Sequence, residues 1–147
     1  MPLTIRDAQP QDEAQWRGLW AQYLQFYDVS LADATTAATW GRIIDPASLL
    51  HGRFAFDGGA MLGFALHHTH LSTWVTAPDC YLEDLFLTEA ARGTGAGRAL
   101  MDDLIGVCRT SGYARLYWHT DEGNARARKL YDSYTLTDGH VRYRIKL

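Results

Sequence analysis

Apolar and polar residues follow two different periods along this chain, and each change of period marks an element. "LTIRDA", residues 3–8, reads as a short opening strand. From Trp16 the spacing becomes helical: Trp16, Leu19, Trp20, Tyr23 and Tyr27 share one face, behind an Asp12/Gln15 capping pair. Residues 33–43 predict a second, weaker helix that stops before Asp45-Pro46, because a residue preceding proline is pushed out of helical backbone. In "GRFAFDGGAMLGFALHHTH" two strand-like runs flank Asp57-Gly58-Gly59, a hairpin signal. "CYLEDLFL" predicts a further strand that leads into "TEAARGTGAGRAL", where Leu100, Leu104 and Cys108 mark a helix face and Gly112 ends the helix. "ARLYWHT" alternates Ala114, Leu116 and Trp118 with Arg115, Tyr117 and His119, as a strand does. Asn124 is a good N-cap for a last helix with Ala127, Leu130, Tyr131 and Tyr134 on one face. "HVRYRIKL" predicts a closing strand.

The resulting order, β-α-α-β-β-β-α-β-α-β, predicts a mixed α/β (α+β) domain around a central sheet. No repeat, low-complexity tract or linker interrupts it, so residues 1–147 are expected to form a single domain. Composition adds exclusions. With 47% hydrophobic and 21% charged residues the chain reads as an ordinary globular protein, and no apolar run reaches the length of a membrane span. The N-terminus lacks a basic start followed by an apolar stretch. Cys80 and Cys108 form no CxxC and read as reduced, packed cysteines of a cytoplasmic protein. A net charge of −3 argues against broad nucleic-acid binding. The charge is unevenly divided, −7 over residues 1–91 and +4 over residues 92–147. Sequence halves interleave in space, so this split by itself assigns no ligand. His67, His68 and His70 do not make a metal set: on a strand 68 and 70 share a face and 67 opposes them, so exposed strand histidines are expected.

The glycines carry the first chemistry. A strand, a glycine-rich turn and a helix N-terminus form an anion site, because the first helical N–H groups lack internal partners and the dipole places positive potential there. Gly93, Gly95 and Gly97 let a phosphate approach those amides without meeting a Cβ, and Arg92 and Arg98 bracket the turn. A Walker loop is excluded because Gly97 is followed by Arg98-Ala99 instead of Lys-Ser/Thr. The turn is GxGxG and not GxGxxG, which also disfavours a dinucleotide fold.

Arg92-x-x-Gly95-x-Gly97 after a strand, followed by "NARARKLY" with Asn124, Ala127 and Tyr131, resembles the two signatures of the GNAT superfamily of acetyl-CoA-dependent N-acetyltransferases. The element order agrees over nearly the whole chain. The resemblance implies a mixed sheet of about six to seven strands with about four helices and splayed central strands. It implies acetyl-CoA as co-substrate and no metal. The pyrophosphate of coenzyme A would lie on the amides of residues 93–98, that is Gly93, Thr94, Gly95, Ala96, Gly97 and Arg98, with Arg92 beside them. The pantetheine arm would pair with strand 82–87, using Leu85, Phe86 and Leu87, in a V-shaped gap against strand 114–120. Asn124 would bond the arm, Ala127 would keep the last helix close, and Tyr131 would serve as general acid. Family members often open the next strand with Gly-Phe, a pair that "YDSYTLTDGHVRYRIKL" lacks.

Acetyl transfer requires a deprotonated amine, a donor for the oxyanion and a proton for the thiolate. A backbone N–H near Phe86–Leu87 supplies the second requirement and Tyr131 the third. "YLEDLFL" resembles the corresponding strand of polyamine and histone acetyltransferases, in which the glutamate faces the amine, commonly through water. Glu83 is therefore the expected base and Asp84 the second choice. Strand alternation sends the two to opposite faces unless a bulge intervenes. Tyr27 and Asp28 at the end of the first helix, Glu83, and His119 at a strand end are the expected acceptor contacts. The expected acceptor is a primary amine, with a polyamine or small amine favoured over a lysine side chain of a protein or peptide. A coenzyme A-binding module without catalysis is the alternative, and a homodimer is expected because dimers are common among relatives.

Overall fold

A computed structural model describes residues 3–147. The strands β1 (Leu3–Asp7), β2 (Leu50–Asp57), β3 (Ala60–His70), β4 (Asp79–Leu87) and β5 (Arg115–Trp118) make one sheet in the order β1-β2-β3-β4-β5. The first four run antiparallel, and β5 joins β4 in parallel. Helices α1 (Glu13–Phe26) and α2 (Asp33–Ile44) precede β2, while α3 (Ala96–Ser111) and α4 (Ala125–Asp132) flank β5 in sequence.

Two cores follow from this layering. On the α1/α2 face Trp16, Trp20, Trp40, Phe54, Phe64, Leu66 and Phe86 pack together. On the α3/α4 face Ala55, Ala65, Cys80, Leu82, Leu100, Met101 and Leu104 form the second, with Leu130 and Tyr131 of α4 against it. Each set alternates along its strand, which is why the helical and strand periods could be read directly. Both cysteines are buried and unbridged.

Four sequence expectations change. Residues 140–147 are not a strand of this chain, so the sheet has five strands in place of six or seven; the alternation is present but no neighbouring strand receives it. Asp12 does not cap α1 with Gln15. It accepts two hydrogen bonds from Arg6 and one from the Gln9 amide, while Gln15 spans the hairpin by donating to the Gly59 carbonyl and accepting from the Met61 amide. His67 is buried, with Nδ1 3.8 Å from Cys80 Sγ, and burial holds its pKa down to about 4. Only one member of the histidine trio is therefore fully exposed on the strand, His70.

Candidate active site

The gap at the centre of the sheet comes from where pairing stops. The β4–β5 ladder runs from Asp79↔Arg115 to Leu82↔Trp118 and ends there, while β4 continues to Leu87 paired only with β3. Residues 83–87 therefore keep one backbone edge free. Leu85, Leu87, Trp118, Leu130 and Tyr131 line the α3/α4 side of this opening, and Phe86, Tyr23 and Tyr27 the α1 side.

A bulge decides which way the carboxylates point. Across β3 and β4, His67 faces Leu82 but Leu66 faces Asp84, so Glu83 is the extra residue. Leu82 belongs to the α3-side core, whereas Asp84 bonds Tyr23 on α1. Glu83 lies on the same side: its Oε2 is 3.9 Å from Nε2 of His68, which shares a face with Leu66. Glu83 is solvent-accessible and Asp84 is largely enclosed. Burial, countered by the Tyr23 hydrogen bond and assisted by the Glu83 charge, lifts the Asp84 pKa to about 6.

The glycine turn begins at Thr88, and a short 3-10 turn, Glu89–Ala91, carries the chain to Arg92. Gly93 and Gly95 have φ of 76° and 90°, a region that side chains avoid, and Gly95 is the N-cap of α3. Thr94 turns its hydroxyl inward to the Ala91 carbonyl at 2.5 Å. Among the described residues the amides of Ala96, Gly97 and Arg98 find no backbone acceptor, and no acidic side chain occupies this first turn. Gly97 also has a packing role. It is buried, and a Cβ there would meet Leu87 Cδ1 at 3.2 Å and Leu130 Cδ2 at 3.4 Å, so it brings α3 and α4 up to β4. The two arginines diverge. Arg92 lies over the rings of Phe26 and Phe86, while Arg98 donates to Ser133 Oγ and stacks on Tyr134 at the end of α4.

On the other side of the gap, Asn124 caps α4 by accepting from the Ala127 amide, and its Nδ2 donates to Thr120 Oγ1, both at 3.4 Å. Ala127 thus sits in the first turn of α4. Tyr131, one turn further, packs its ring at a tilt against Trp118 and its pKa is pushed up to about 12, chiefly by burial. Its hydroxyl stays protonated at neutral pH and can donate. Tyr27 reaches across from α1: its phenol is near enough to Tyr131, Asp121 and Asn124 to feel each, and burial raises its pKa. Asp28 is exposed in a left-handed conformation, φ 53°, and follows α1 where the Val29 N–H bonds the Leu24 carbonyl.

Sequence reasoning missed three contributors. Tyr23 was legible only as part of the aromatic helix face, yet it holds Asp84. Tyr81 and Tyr117 stack at 4.9 Å on the α1 side of the sheet, with His119 Nδ1 3.0 Å from the Tyr81 hydroxyl and His70 Nε2 2.6 Å from that of Tyr117. The signal was the alternation Tyr81/Glu83 on one strand and Tyr117/His119 on the next. Among the described residues no cluster of three or more metal-binding side chains occurs.

An adenosine diphosphate bearing a pantetheine thioester fits these features. Free amides at a positively polarised helix end suit its diphosphate, the open edge of β4 suits the amide-bearing arm, and the apolar walls suit the acyl end. Among the described residues no helix is long and apolar enough to cross a membrane. Comparison with known proteins agrees. The Acetyltransferase (GNAT) family model matches residues 12–134. The D-amino-acid N-acetyltransferase HPA3 of Saccharomyces cerevisiae is 33% identical over 144 residues, covering 97% of this chain and 89% of that protein. The thialysine N-epsilon-acetyltransferase of Caenorhabditis elegans is 34% identical over 84 residues, 57% of this chain and 52% of that one. The fold superposes on AAC(6')-Iy in complex with a CoA-containing bisubstrate analogue with a TM-score of 0.84, at 20% identity, covering 100% of this chain and 99% of the other. The chain belongs to the GNAT family of acetyltransferases and is an acyl-CoA-dependent N-acetyltransferase.

Proposed function

We propose that this N-acetyltransferase moves the acetyl group of acetyl-CoA directly to the primary amine of a small molecule, without a covalent enzyme intermediate. The observation that carries the reading is the bulge at Glu83, which leaves both Glu83 and Asp84 on the α1 side of the opening beside Tyr23, Tyr27 and Tyr81. The thioester supplies an activated acyl carbon. Glu83, directly or through water, takes the proton of the incoming ammonium, whose ordinary pKa is roughly 10.4. A backbone N–H at Phe86–Leu87 donates to the oxyanion as the C–N bond forms. Tyr131 donates its proton as the C–S bond breaks and regains one, through water, from the nitrogen that has attacked, so that amide and free thiol result and Glu83 releases the ammonium proton to solvent. Gly93 to Arg98 hold the diphosphate, Leu85 to Leu87 the arm, and Ala127 keeps α4 close to it. Asn124 already spends its carbonyl as a helix cap and offers the arm its remaining Nδ2 hydrogen.

Aromatic rings and two carboxylates on one wall favour a cationic acceptor. A polyamine fits this, as does an amino acid; relatives named for D-amino acids and for thialysine support small amines over protein lysines. The test is release of free thiol from acetyl-CoA with polyamines, D- and L-amino acids, thialysine, aminoglycosides and lysine peptides. Turnover of a small amine, lowered by Glu83→Gln, is expected. Preferential turnover of the peptides would transfer the assignment to proteins, and coenzyme A binding with no turnover of any amine would make the chain a binding module.

A further inference from the structure

The guanidinium of Arg92 lies 5.4 Å from the ring centre of Phe26 and 5.7 Å from that of Phe86. Among the described residues the arginine–carboxylate pairs are those of Arg6, Arg17, Arg53 and Arg115, and Arg92 is in none of them. Its side chain is half-buried. Stacking on rings engages the faces of a guanidinium and leaves its in-plane N–H donors for a planar anion.

Those two rings put Arg92 on the acceptor side of the opening. Phe86 packs edge-on against Tyr23, whose hydroxyl bonds Asp84, and Phe26 packs edge-on against Tyr27. Tyr23 and Tyr27 meet edge to face as well. The α1-side wall thus runs from two carboxylates, Glu83 and Asp84, over four rings to one guanidinium. The opposite charges do not cancel across it: burial and the Glu83 charge raise the Asp84 pKa, and no arginine lowers it. A polyamine is cationic throughout and would bring like charge toward Arg92. An amino acid carries one charge of each sign.

We infer that Arg92 receives the carboxylate of the acceptor, so that the acceptor is an amino acid whose amine faces Glu83 and whose carboxylate accepts hydrogen bonds from the guanidinium over Phe26 and Phe86. A planar carboxylate matches the guanidinium fork, and the charge-assisted pair fixes the direction in which the amine enters. Arg92 then determines acceptor specificity, while the amides after it hold the diphosphate. This inference rests on the small-amine acceptor proposed above and selects within it.

Thiol release from acetyl-CoA with matched acceptors tests it. The set is D- and L-methionine, D- and L-phenylalanine, their primary amides, the amines left when the carboxylate is removed, and spermidine. For at least one acid, kcat/KM should exceed that of its amide about tenfold or more. The amide has the more easily deprotonated amine, with a pKa of roughly 8, so amine basicity opposes this order and cannot produce it. Arg92→Gln should raise KM for the acid about ten- to a hundred-fold and erase its advantage over the amide. Arg92→Lys keeps the charge without the planar fork and should fall between. Amides or carboxylate-free amines used as well as the acids, or spermidine preferred to all, would overturn the inference and leave the small-amine reading standing. Calorimetric loss of coenzyme A affinity in Arg92→Gln as large as the loss for the acid would overturn it too, by giving the guanidinium to the diphosphate. Turnover of no member of the set would remove both readings. The comparison of acid with amide on the unaltered chain decides the question even if a variant misfolds.

Discussion

The hydroxyl of Tyr23, late in α1, donates a 2.5 Å hydrogen bond to Oδ1 of Asp84, and the extra residue at Glu83 makes that contact reachable. In a regular strand 82 and 84 would share the α3 face. The bulge reverses the parity, so Asp84 follows Phe86 toward α1. The bond gives the enclosed carboxylate a donor, but burial outweighs it and the Asp84 pKa rises to about 6.

A carboxylate whose folded pKa exceeds its unfolded value, roughly 3.9, binds more protons in the native state. Its contribution is most favourable below that unfolded value and is lost as pH rises through about 6. Asp84→Asn retains an oxygen for Tyr23 and removes the charge. It should stabilise the fold by up to about 3 kcal/mol at pH 8, with the difference disappearing near pH 4. Thermal unfolding of both proteins across that range checks it; identical curves throughout would mean that water reaches the carboxylate freely.

The same bulge shows where sequence reading stops. Positive φ at Gly93 and Gly95 has essentially one residue-type solution, so the turn was legible, as was the Asn124 cap. Glu83 and Asp84 are different. A one-residue register shift depends on what β3 presents opposite, and nothing in "YLEDLFL" encodes it locally. Helical spacing placed Tyr23 on the sheet face of α1 but not over a particular carboxylate. Residues 140–147 show the reverse case, in which the strand pattern was legible but no strand of this chain receives it.

Gly95 separates conformation from charge at the helix end. Gly95→Ala keeps every amide and meets the cost of a positive φ, about 1–2 kcal/mol. Gly95→Asp adds a negative charge where the diphosphate is expected, and like charges about 4 Å apart repel by about 4 kcal/mol at an intermediate dielectric. Calorimetric titration should show coenzyme A bound at least about a hundred-fold more weakly by the aspartate variant. A smaller change is expected for alanine. Unaltered binding by Gly95→Asp would place the diphosphate elsewhere.

Tyr131 has its phenol pKa held near 12 by burial, so it remains a proton donor across the working range. Tyr131→Phe keeps the ring against Trp118 and deletes only the donor. The expected result is a fall in kcat of about a hundred-fold with acetyl-CoA affinity little altered. Steady-state rates over pH 6–10 check this, and unchanged turnover would assign thiolate protonation to water.

Glu83 and Asp84 are distinguished by how their neutral variants respond to pH. If Glu83 takes the ammonium proton, Glu83→Gln should be slow at pH 7, by about a hundred-fold, because the amine must arrive already deprotonated. The free-amine fraction grows tenfold per unit of pH below roughly 10.4, so the deficit should shrink steadily as pH rises. Asp84→Asn should show no such recovery, because Asp84 is turned to Tyr23 and acts on the position of α1. Its loss should be the same factor at every pH above about 6, where the native residue is already charged. Should the recovery appear in Asp84→Asn and not in Glu83→Gln, the roles exchange: the enclosed carboxylate would be the base, and the exposed one would serve to attract the cation.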